Sequence, residues 1–306
     1  MDDFDIITIG HFSIDFINLP NRKEIKPTLG GPPTYVSLSA RKLDAEVSVI
    51  SKVGKDFSRK YVRFLKRKGV DLTGLKIDKK AFTTSFILNY NLGGERDLYL
   101  KNKAPPIEIN DLPSTLNSKA VHIAPIANEV SIETINKLKI SNPVLSLDPQ
   151  GLVRRFNNNG KIFLRFSEDT DFLKGIEVIK ASYNEAKTLT AQSDPVKMAK
   201  DIHRKGVKIV LITRGAEPAL LSTENKMCFV PPAKPKVVAD TTGAGDVFIG
   251  AFLTAYIHGE DPLWCACMGS AASSFVVEKY GPAGFGSMKQ VQARATQVYN
   301  DASIIT

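Results

Sequence analysis

Short apolar runs alternate with segments of helical period along most of the chain. The apolar runs are rich in β-branched residues, which predicts buried strands, and the segments between them predict helices. This alternation is typical of a parallel sheet whose strands are connected through helices. The strand candidates include "DIITIG", "EVSVISKVG", "AVHIAPI", "VLSLDP", "IEVIKAS" and "IVLITRG". We therefore expect an α/β fold, a doubly wound, mostly parallel sheet flanked by helices, in one domain over residues 1–306.

Two segments interrupt this rhythm. The first, approximately residues 14–28, follows the opening strand and is irregular. The second, approximately residues 83–100, is a predicted β-hairpin with its turn at Asn91-Leu92-Gly93-Gly94. We expect the two segments to form a small β lid beside the main sheet. The residues that follow Gly69 are expected to form a short connector.

A buried helix is predicted near the three-quarter mark of the chain. Residues 247–257 are almost entirely apolar, which is the pattern of a helix buried on all sides, and Gly259 ends it. The stretch "ADTTGAGD" leads into this helix. The first N–H groups of a helix lack partners and its dipole is positive there, so an anion is favoured. The small residues Gly243, Ala244 and Gly245 would let a phosphate approach the backbone.

Asp246 closes this stretch, and its simplest role is to favour the first helical turn electrostatically. However, Asp240, Thr241 and Thr242 already offer three polar side chains that could cap the helix. A carboxylate beside an anion site repels the anion, so its presence there indicates a chemical role, such as accepting a proton from an attacking hydroxyl. The stretch therefore favours an anion site with a proton-accepting carboxylate over a plain turn.

The stretch "DTTGAGD" resembles the C-terminal signature of the ribokinase-like (PfkB) carbohydrate kinases, which transfer the γ-phosphate of ATP to an alcohol. The resemblance covers nearly the whole chain and implies the ribokinase-like fold. Neither a GxxxxGK[ST] P-loop nor a GxGxxG motif after the first strand is present, which disfavours the Walker-type and Rossmann alternatives. The further similar segments, in chain order, are "GHFSIDF", "GGPPTYVSLSARKL", "SKVGKDF", "GVDLTGL", "SYNEAKTLT" and "LITRGAEPALL".

The resemblance also implies roles for individual residues and the cofactors ATP and Mg²⁺. Asp246 would be the catalytic base at an anion hole formed by Gly243, Ala244 and Gly245. The substrate would be bound by Asp15, at the substrate-binding end of the first strand, and by Gly30 and Gly31. The nucleotide would be bound by Asn184, Thr213 and Gly215.

One position departs from the family pattern. The family's Asn-x-x-Glu would place Glu at position 187, and this chain has Lys187. Three interpretations stay open: Glu185 or another acid organises Mg²⁺, the metal is held mostly by ATP and water, or Lys187 contacts phosphate directly. The Mg²⁺ requirement is retained because the phosphate charge needs neutralising. The metal ligand is unknown.

The best indication of the acceptor is "DPQGLVR", with "VHIAP" before it and "EKYGPAG" near the C-terminus. These stretches are similar to the inositol-kinase-like branch of the family, which makes myo-inositol the leading substrate. Gln150 and Arg154 are candidate ligand contacts, although a strand-to-helix turn also explains the composition. Ribose, fructose, a 2-keto-3-deoxy sugar acid and a nucleoside stay open, as does a ligand-binding regulator that kept the fold without activity.

Composition and charge narrow the partners. The chain has 306 residues and a formal net charge of +9, with the densest basic patch over residues 59–69. Aromatic residues are not interleaved with this patch, so we expect a solvated surface and no nucleic-acid partner. The three cysteines lack framework spacing, no apolar run could span a bilayer, and the N-terminus starts with acids. We expect a cytoplasmic protein without a membrane partner, and a homodimer through the lid is conceivable.

Overall fold

The computed structural model describes residues 4–18, 27–90, 96–139, 144–165 and 170–305. Sixteen strands and nine α-helices lie in these ranges, numbered in chain order. The strands are β1 (Phe4–Ile9), β2 (Ser13–Asn18), β3 (Pro27–Gly30), β4 (Val47–Val53), β5 (Val70–Ile77), β6 (Ser85–Tyr90), β7 (Arg96–Asn102), β8 (Ser118–Ile123), β9 (Val144–Leu147), β10 (Arg154–Phe156), β11 (Ile162–Leu164), β12 (Val178–Ser182), β13 (Ile209–Arg214), β14 (Glu217–Ser222), β15 (Met227–Val230) and β16 (Ser303–Ile304). The helices are α1 (Pro32–Lys42), α2 (Arg59–Arg67), α3 (Ile132–Leu138), α4 (Gln150–Val153), α5 (Tyr183–Thr190), α6 (Pro195–Arg204), α7 (Ala244–Tyr256), α8 (Pro262–Val276) and α9 (Met288–Asn300).

Ten strands form the main sheet, in the order β16-β15-β14-β13-β12-β9-β8-β1-β4-β5. Every neighbouring pair from β13 to β5 is parallel, whereas β14, β15 and β16 are antiparallel to their neighbours. One face of the sheet packs against α1, α7 and α8, and the other packs against α3, α5 and α6. The predicted doubly wound α/β fold is confirmed. None of the helices in the described ranges is long and apolar enough to cross a membrane.

The segment after Gly69 is a strand, so the expectation of a short connector is wrong. Residues Val70–Ile77 pair in parallel with β4 and form the edge of the main sheet. An edge strand is covered on one side only, so it carries polar residues that hide its strand character from a hydrophobicity pattern. Asp71 and Lys76 are such residues, and the side chain of Asp71 accepts a hydrogen bond from Ser48 Oγ at 2.7 Å.

A second sheet contains four strands in the order β3-β2-β6-β7. These strands come from the two segments predicted as the lid, although the predicted turn at Asn91-Leu92-Gly93-Gly94 lies outside the described residues. Strand β2 pairs in parallel with β6, so the two segments form one sheet. We call this unit the lid sheet. Its movement as a lid, and the single domain over residues 1–306, stay predictions.

A hairpin that the sequence did not indicate lies against the lid sheet. Strands β10 and β11 pair antiparallel, and we call residues 154–164 the strap hairpin. Leu100 N–H in β7 donates to Gly160 O at 2.8 Å, and Lys161 pairs with Asp97 at 2.9 Å. Phe156 and Ile162 of the hairpin pack with a small apolar cluster on the lid sheet that contains Phe86, Leu88, Leu98 and Leu100. The strap hairpin therefore ties the outer strand of the lid sheet to the body of the protein.

Candidate active site

Several of the predicted site residues lie at the carboxyl-terminal edge of the main sheet. Strands β9, β12 and β13 are parallel and end there, which is where ligands bind in open α/β sheets. Asp148 follows β9 directly, and Ser182 at the end of β12 is level with Thr213 at the end of β13. The N-terminus of α7 lies at the same edge, because a Cβ on Gly245 would be 3.1 Å from Nζ of Lys180 in β12.

Helix α7 begins at Ala244, three residues earlier than predicted, and Gly243 is its N-cap residue. Gly243 has φ 78°, and a Cβ there would lie 2.4 Å from the ring of Tyr35 in α1, so only glycine fits. No side chain caps this helix end. Asp240, one of the residues that the sequence offered as a cap, accepts instead from Thr242 N–H at 2.9 Å and from Gly281 N–H at 3.3 Å. Ala244 N–H donates to Thr241 O at 3.3 Å, a long hydrogen bond, so an anion at this helix end would compete only with that bond for the Ala244 N–H.

Asp246 lies in the first turn of α7, as predicted, and is partly accessible. Burial in its surroundings raises the pKa of Asp246 to about 7, against the opposing positive charge of Lys180. Asp148 and Glu185 raise this pKa further, whereas Arg154 lowers it. A carboxyl group with a pKa near 7 can exchange a proton at neutral pH, which is what general acid–base chemistry requires.

Lys180 is the feature of this site that sequence reasoning missed. Its ammonium makes a short ion pair with Asp148, and the two side chains are only 4% and 1% exposed. Burial alone would lower the pKa of Lys180, but the charges of Asp148, Asp246 and Glu185 raise it, so the lysine stays protonated. The signal was available: a lysine interrupts the apolar strand "IEVIKAS", where a buried charge needs a partner.

Asp15 and Gly30 are in direct contact in the lid sheet. Asp15 lies on β2 rather than at the end of β1, and it pairs with Thr28 of β3 across the sheet. A Cβ on Gly30 would lie 2.0 Å from Oδ2 of Asp15, so this carboxylate packs against the glycine. Ser13 Oγ donates to Oδ1 of Asp15 at 2.7 Å, a positioning contact that the sequence did not reveal. Gly31 has φ 83° and precedes α1.

Gln150 and Arg154 follow β9 in the neighbourhood of Asp148. Gln150 N–H donates to Oδ1 of Asp148 at 3.0 Å, and a Cβ on Gly151 would meet the backbone of Pro125 at 2.4 Å. The turn interpretation of this stretch therefore holds for the backbone. Arg154 opens the strap hairpin, and its charge acts on Asp246. Gln150 thus contacts Asp148, and the charge of Arg154 lowers the pKa of Asp246. The contact of either residue with a ligand stays a prediction.

The three residues predicted to bind the nucleotide lie on adjacent elements. Thr213 is the penultimate residue of β13, Gly215 lies in the turn to β14 with φ 66°, and Asn184 is exposed in the first turn of α5. A pocket of about 350 Å³ includes one of them, Asn184, and is lined by Leu164, Asn184, Lys187, Thr188 and Ala191. The exposed Lys187 thus lines the same pocket as Asn184.

A metal site built by the protein alone is absent from the part of the chain that is described. No group of three or more His, Cys, Asp or Glu side chains there could hold a metal ion. Glu185, one of the candidates from the sequence, has a buried carboxylate that accepts from Ser182 N–H at 2.7 Å and so closes the N-terminus of α5. Among the described residues, the chain therefore supplies no complete set of Mg²⁺ ligands by itself.

Two histidines, His11 and His122, are buried inside the chain. His11 is buried, with contacts from its ring nitrogens to Thr84 Oγ1 at 2.7 Å and Pro105 O at 3.0 Å. His122 is buried beside Ser146, and burial together with the charge of Lys180 lowers its pKa to about 3. His122 is therefore neutral at physiological pH.

Comparison with known proteins agrees with this geometry. Residues 3–287 match the model of the pfkB family carbohydrate kinases. The chain is 28% identical over 285 residues to a cytidine kinase of Thermococcus kodakarensis, covering 90% of this chain and 97% of the relative. It is 27% identical over 289 residues to a nucleoside kinase of Methanocaldococcus jannaschii, covering 90% and 91%.

A solved structure is similar over nearly the whole length. It is a pyrophosphate-dependent kinase of the ribokinase family in complex with a pyrophosphate analog and myo-inositol. Its TM-score is 0.80 at 25% identity, covering 94% of this chain and 99% of that one. The protein is a phosphotransferase with an alcohol group as acceptor. It belongs to the pfkB family of carbohydrate kinases.

Proposed function

We propose that the protein transfers the γ-phosphate of ATP to a hydroxyl of a sugar or cyclic polyol, with myo-inositol as the leading acceptor. The single observation that carries this proposal is a carboxylate with a pKa of about 7 in the first turn of an uncapped helix N-terminus. The helix end would bind the transferred phosphoryl group, and Asp246 would accept the proton of the attacking hydroxyl. Phosphoryl transfer needs both functions in one place.

In this mechanism the acceptor lies between the lid sheet and α7. Asp15, held by Ser13 and Gly30, accepts hydrogen bonds from acceptor hydroxyls and orients them. One hydroxyl oxygen attacks the γ-phosphorus while its proton moves to Asp246, and the bond from that phosphorus to the β–γ bridging oxygen breaks. The N–H groups at Gly243, Ala244 and Gly245 stabilise the negative charge on the transferred phosphoryl oxygens, which is how an anion hole acts.

Two features support a compact polar acceptor such as myo-inositol. In the lid sheet, Phe86 pairs with Asp15 and Leu88 with Ile17. Both are buried, 5% and 3% exposed, in a cluster with Ile126, Ala127 and residues of the strap hairpin. These apolar side chains are covered by the chain itself, and we propose that the acceptor is contacted mainly by polar groups such as Asp15. Gln150 and Arg154, at the base of the strap hairpin, would contribute hydrogen bonds to further hydroxyls.

For the donor, Asn184, Thr213 and Gly215 form a platform beyond the α7 N-terminus that a nucleotide would occupy. Lys187 replaces the family's glutamate beside this platform, and we propose that its ammonium contacts donor phosphate. Mg²⁺, held by the phosphates and water, would neutralise charge between the β- and γ-phosphates. A pyrophosphate donor is the competing possibility, since the similar solved structure is of a pyrophosphate-dependent kinase.

A nucleoside is the second candidate acceptor. The specific observation in its favour is that the two curated relatives reported above are a cytidine kinase and a nucleoside kinase. A nucleoside presents both a sugar hydroxyl and an aromatic base, so it would need an apolar or aromatic contact in addition to Asp15. Displacement of the strap hairpin from the lid sheet would expose such a contact.

The deciding experiment is a matrix of donors and acceptors with the purified protein and Mg²⁺. ATP and pyrophosphate are each assayed with myo-inositol, ribose, fructose, a 2-keto-3-deoxy sugar acid and cytidine, and phosphorylated product is measured directly. We expect the highest kcat/KM with ATP and myo-inositol. A preference for cytidine would overturn the polyol assignment, a preference for pyrophosphate would overturn the donor, and no product with any pair would favour a ligand-binding regulator.

The predicted homodimer through the lid sheet stays a prediction. The two outer strands of this sheet are β3 and β7, and each is already in contact with another segment of the same chain. Tyr61 donates to Pro27 O in β3 at 3.2 Å, and the strap hairpin covers part of β7. Pairing with a second copy would use what is left of these edges, and light scattering across a concentration series measures it.

A further inference from the structure

The chain places a lysine where helix electrostatics disfavour one. The positive end of a helix dipole is at its N-terminus, so cations are destabilising there. Yet a Cβ on Gly245 would lie 3.1 Å from Nζ of Lys180, so this ammonium lies against the first turn of α7. The lysine side chain is 4% exposed, and it comes from β12 in the sheet beneath the helix. Such an arrangement needs a compensating reason.

Asp148 supplies part of the compensation. It follows β9, the strand next to β12, and forms an ion pair with Lys180 while its other oxygen accepts from Gln150 N–H. The pair is overall neutral and almost completely buried. Replacing a buried ion pair by apolar residues often does not reduce stability, so fold stability alone is a weak reason to keep one.

We propose that Lys180, held by Asp148, is a positioning residue for Asp246: it keeps a fixed positive charge behind the helix N-terminus and so maintains the carboxylate in the ionised form that can accept a proton. This inference rests on the proposed function, because it assigns a partner to the proposed base. Lys180 does not reach substrate in this role. It favours the ionised form of Asp246, and its charge adds to the positive electrostatic potential at a bound phosphoryl group.

The surrounding charges determine the sign of the effect. From β12, Lys180 favours the ionised form of Asp246, and Arg154 of the strap hairpin does the same. Asp148 after β9 and Glu185 of α5 oppose it. His122 of β8 is neutral at assay pH, and α1 presents the ring of Tyr35 to Gly243. Removing Lys180 must therefore raise the pKa of Asp246, and removing Asp148 must lower it.

The test compares Lys180→Met with Asp148→Asn. A base is active when ionised, so kcat/KM falls as the pH drops through the pKa of Asp246, which gives an acid limb near pH 7 in the unaltered protein. A single neighbouring charge shifts a pKa by about 1 to 3 units. We expect the acid limb to move up by about one pH unit or more in Lys180→Met and down by a similar amount in Asp148→Asn, with Lys180→Arg close to the unaltered protein.

Two controls separate this role from a structural one. Arg294→Met breaks another mostly buried pair, with Glu278 at 2.9 Å, and is expected to leave the acid limb in place. Carboxyl-carbon NMR titration of Asp246, assigned by difference from Asp246→Asn, measures the same shifts without turnover. Shifts in the same direction, or none, in Lys180→Met and Asp148→Asn would overturn the inference. Opposite NMR shifts in a protein without kinase activity would support it while contradicting the proposed function.

Discussion

Two lysine–aspartate pairs in this protein show how differently the same interaction works in two regions. Lys180 and Asp148 lie under the α7 N-terminus with 4% and 1% of their side chains exposed. Lys161 and Asp97 join the strap hairpin to the lid sheet with 49% and 56% exposed. Water screens the exposed pair almost completely, whereas the buried pair acts strongly on every charge nearby. A buried charge pair thus lies beneath the proposed base, whereas the lid sheet is joined to the strap hairpin by backbone and apolar contacts.

The largest effect is expected from Asp246→Asn. The amide keeps the size of the side chain but cannot accept the proton, so kcat falls by about 10² to 10⁴-fold, the usual contribution of a general base. Binding of ATP, measured by calorimetry, changes little because the α7 N-terminus is unaltered. Retention of more than a tenth of the activity would exclude Asp246 as the base.

The two pairs are compared directly by Lys180→Met and Lys161→Met. Breaking the buried pair leaves Asp148 uncompensated, and we expect the free energy of unfolding to fall by about 3 to 5 kcal/mol. Loss of the exposed pair is expected to change it far less, because water screens that pair. Urea unfolding at pH 8 measures both values. Equal losses would mean that burial does not separate the two pairs.

Gly30→Ala tests the acceptor side. A Cβ at this position would lie 2.0 Å from Oδ2 of Asp15, so the carboxylate must move. A displacement of about 1 Å in a positioning group can lower the rate about 10²-fold. We expect that loss in kcat/KM for the acceptor, with the KM for ATP nearly unchanged. Ser13→Ala, which removes only the hydrogen bond to Oδ1, is the milder comparison, and an unchanged acceptor kcat/KM in Gly30→Ala would argue against a substrate role for Asp15.

The sequence predicted the parts of this architecture that depend on local pattern. Apolar runs predicted the central strands, and the small residues before α7 predicted an anion-binding helix end. Contacts between distant segments were out of reach. Lys180 meets Asp148 across 32 positions, and Gly160 meets Leu100 across a gap of 60 residues, so neither partner follows from spacing. Strand β5 was missed because an edge strand carries polar residues, and the strap hairpin because its strands have three residues each.

The strap hairpin offers the most selective test of the acceptor side. Gly160 has φ 77°, and a Cβ there would lie 2.3 Å from Leu100 O, so Gly160→Ala strains the backbone and pushes the hairpin away from β7. Gly259→Ala is the matched control, because Gly259 has φ 84° with no atom within 4 Å of the added Cβ. Both variants bear the strain of an L-residue at positive φ, about 1 kcal/mol.

Only Gly160→Ala should weaken the contact between the strap hairpin and strand β7 of the lid sheet. If loosening this contact weakens acceptor binding by about 1 kcal/mol, the KM for the acceptor rises about fivefold. The value of kcat at saturating acceptor stays the same, because Asp246 and the α7 N-terminus do not move. Hydrogen exchange at the amides of β7 should become faster in Gly160→Ala and not in Gly259→Ala. Faster exchange without a change in KM would mean that the strap hairpin stabilises the lid sheet but has no part in holding the acceptor.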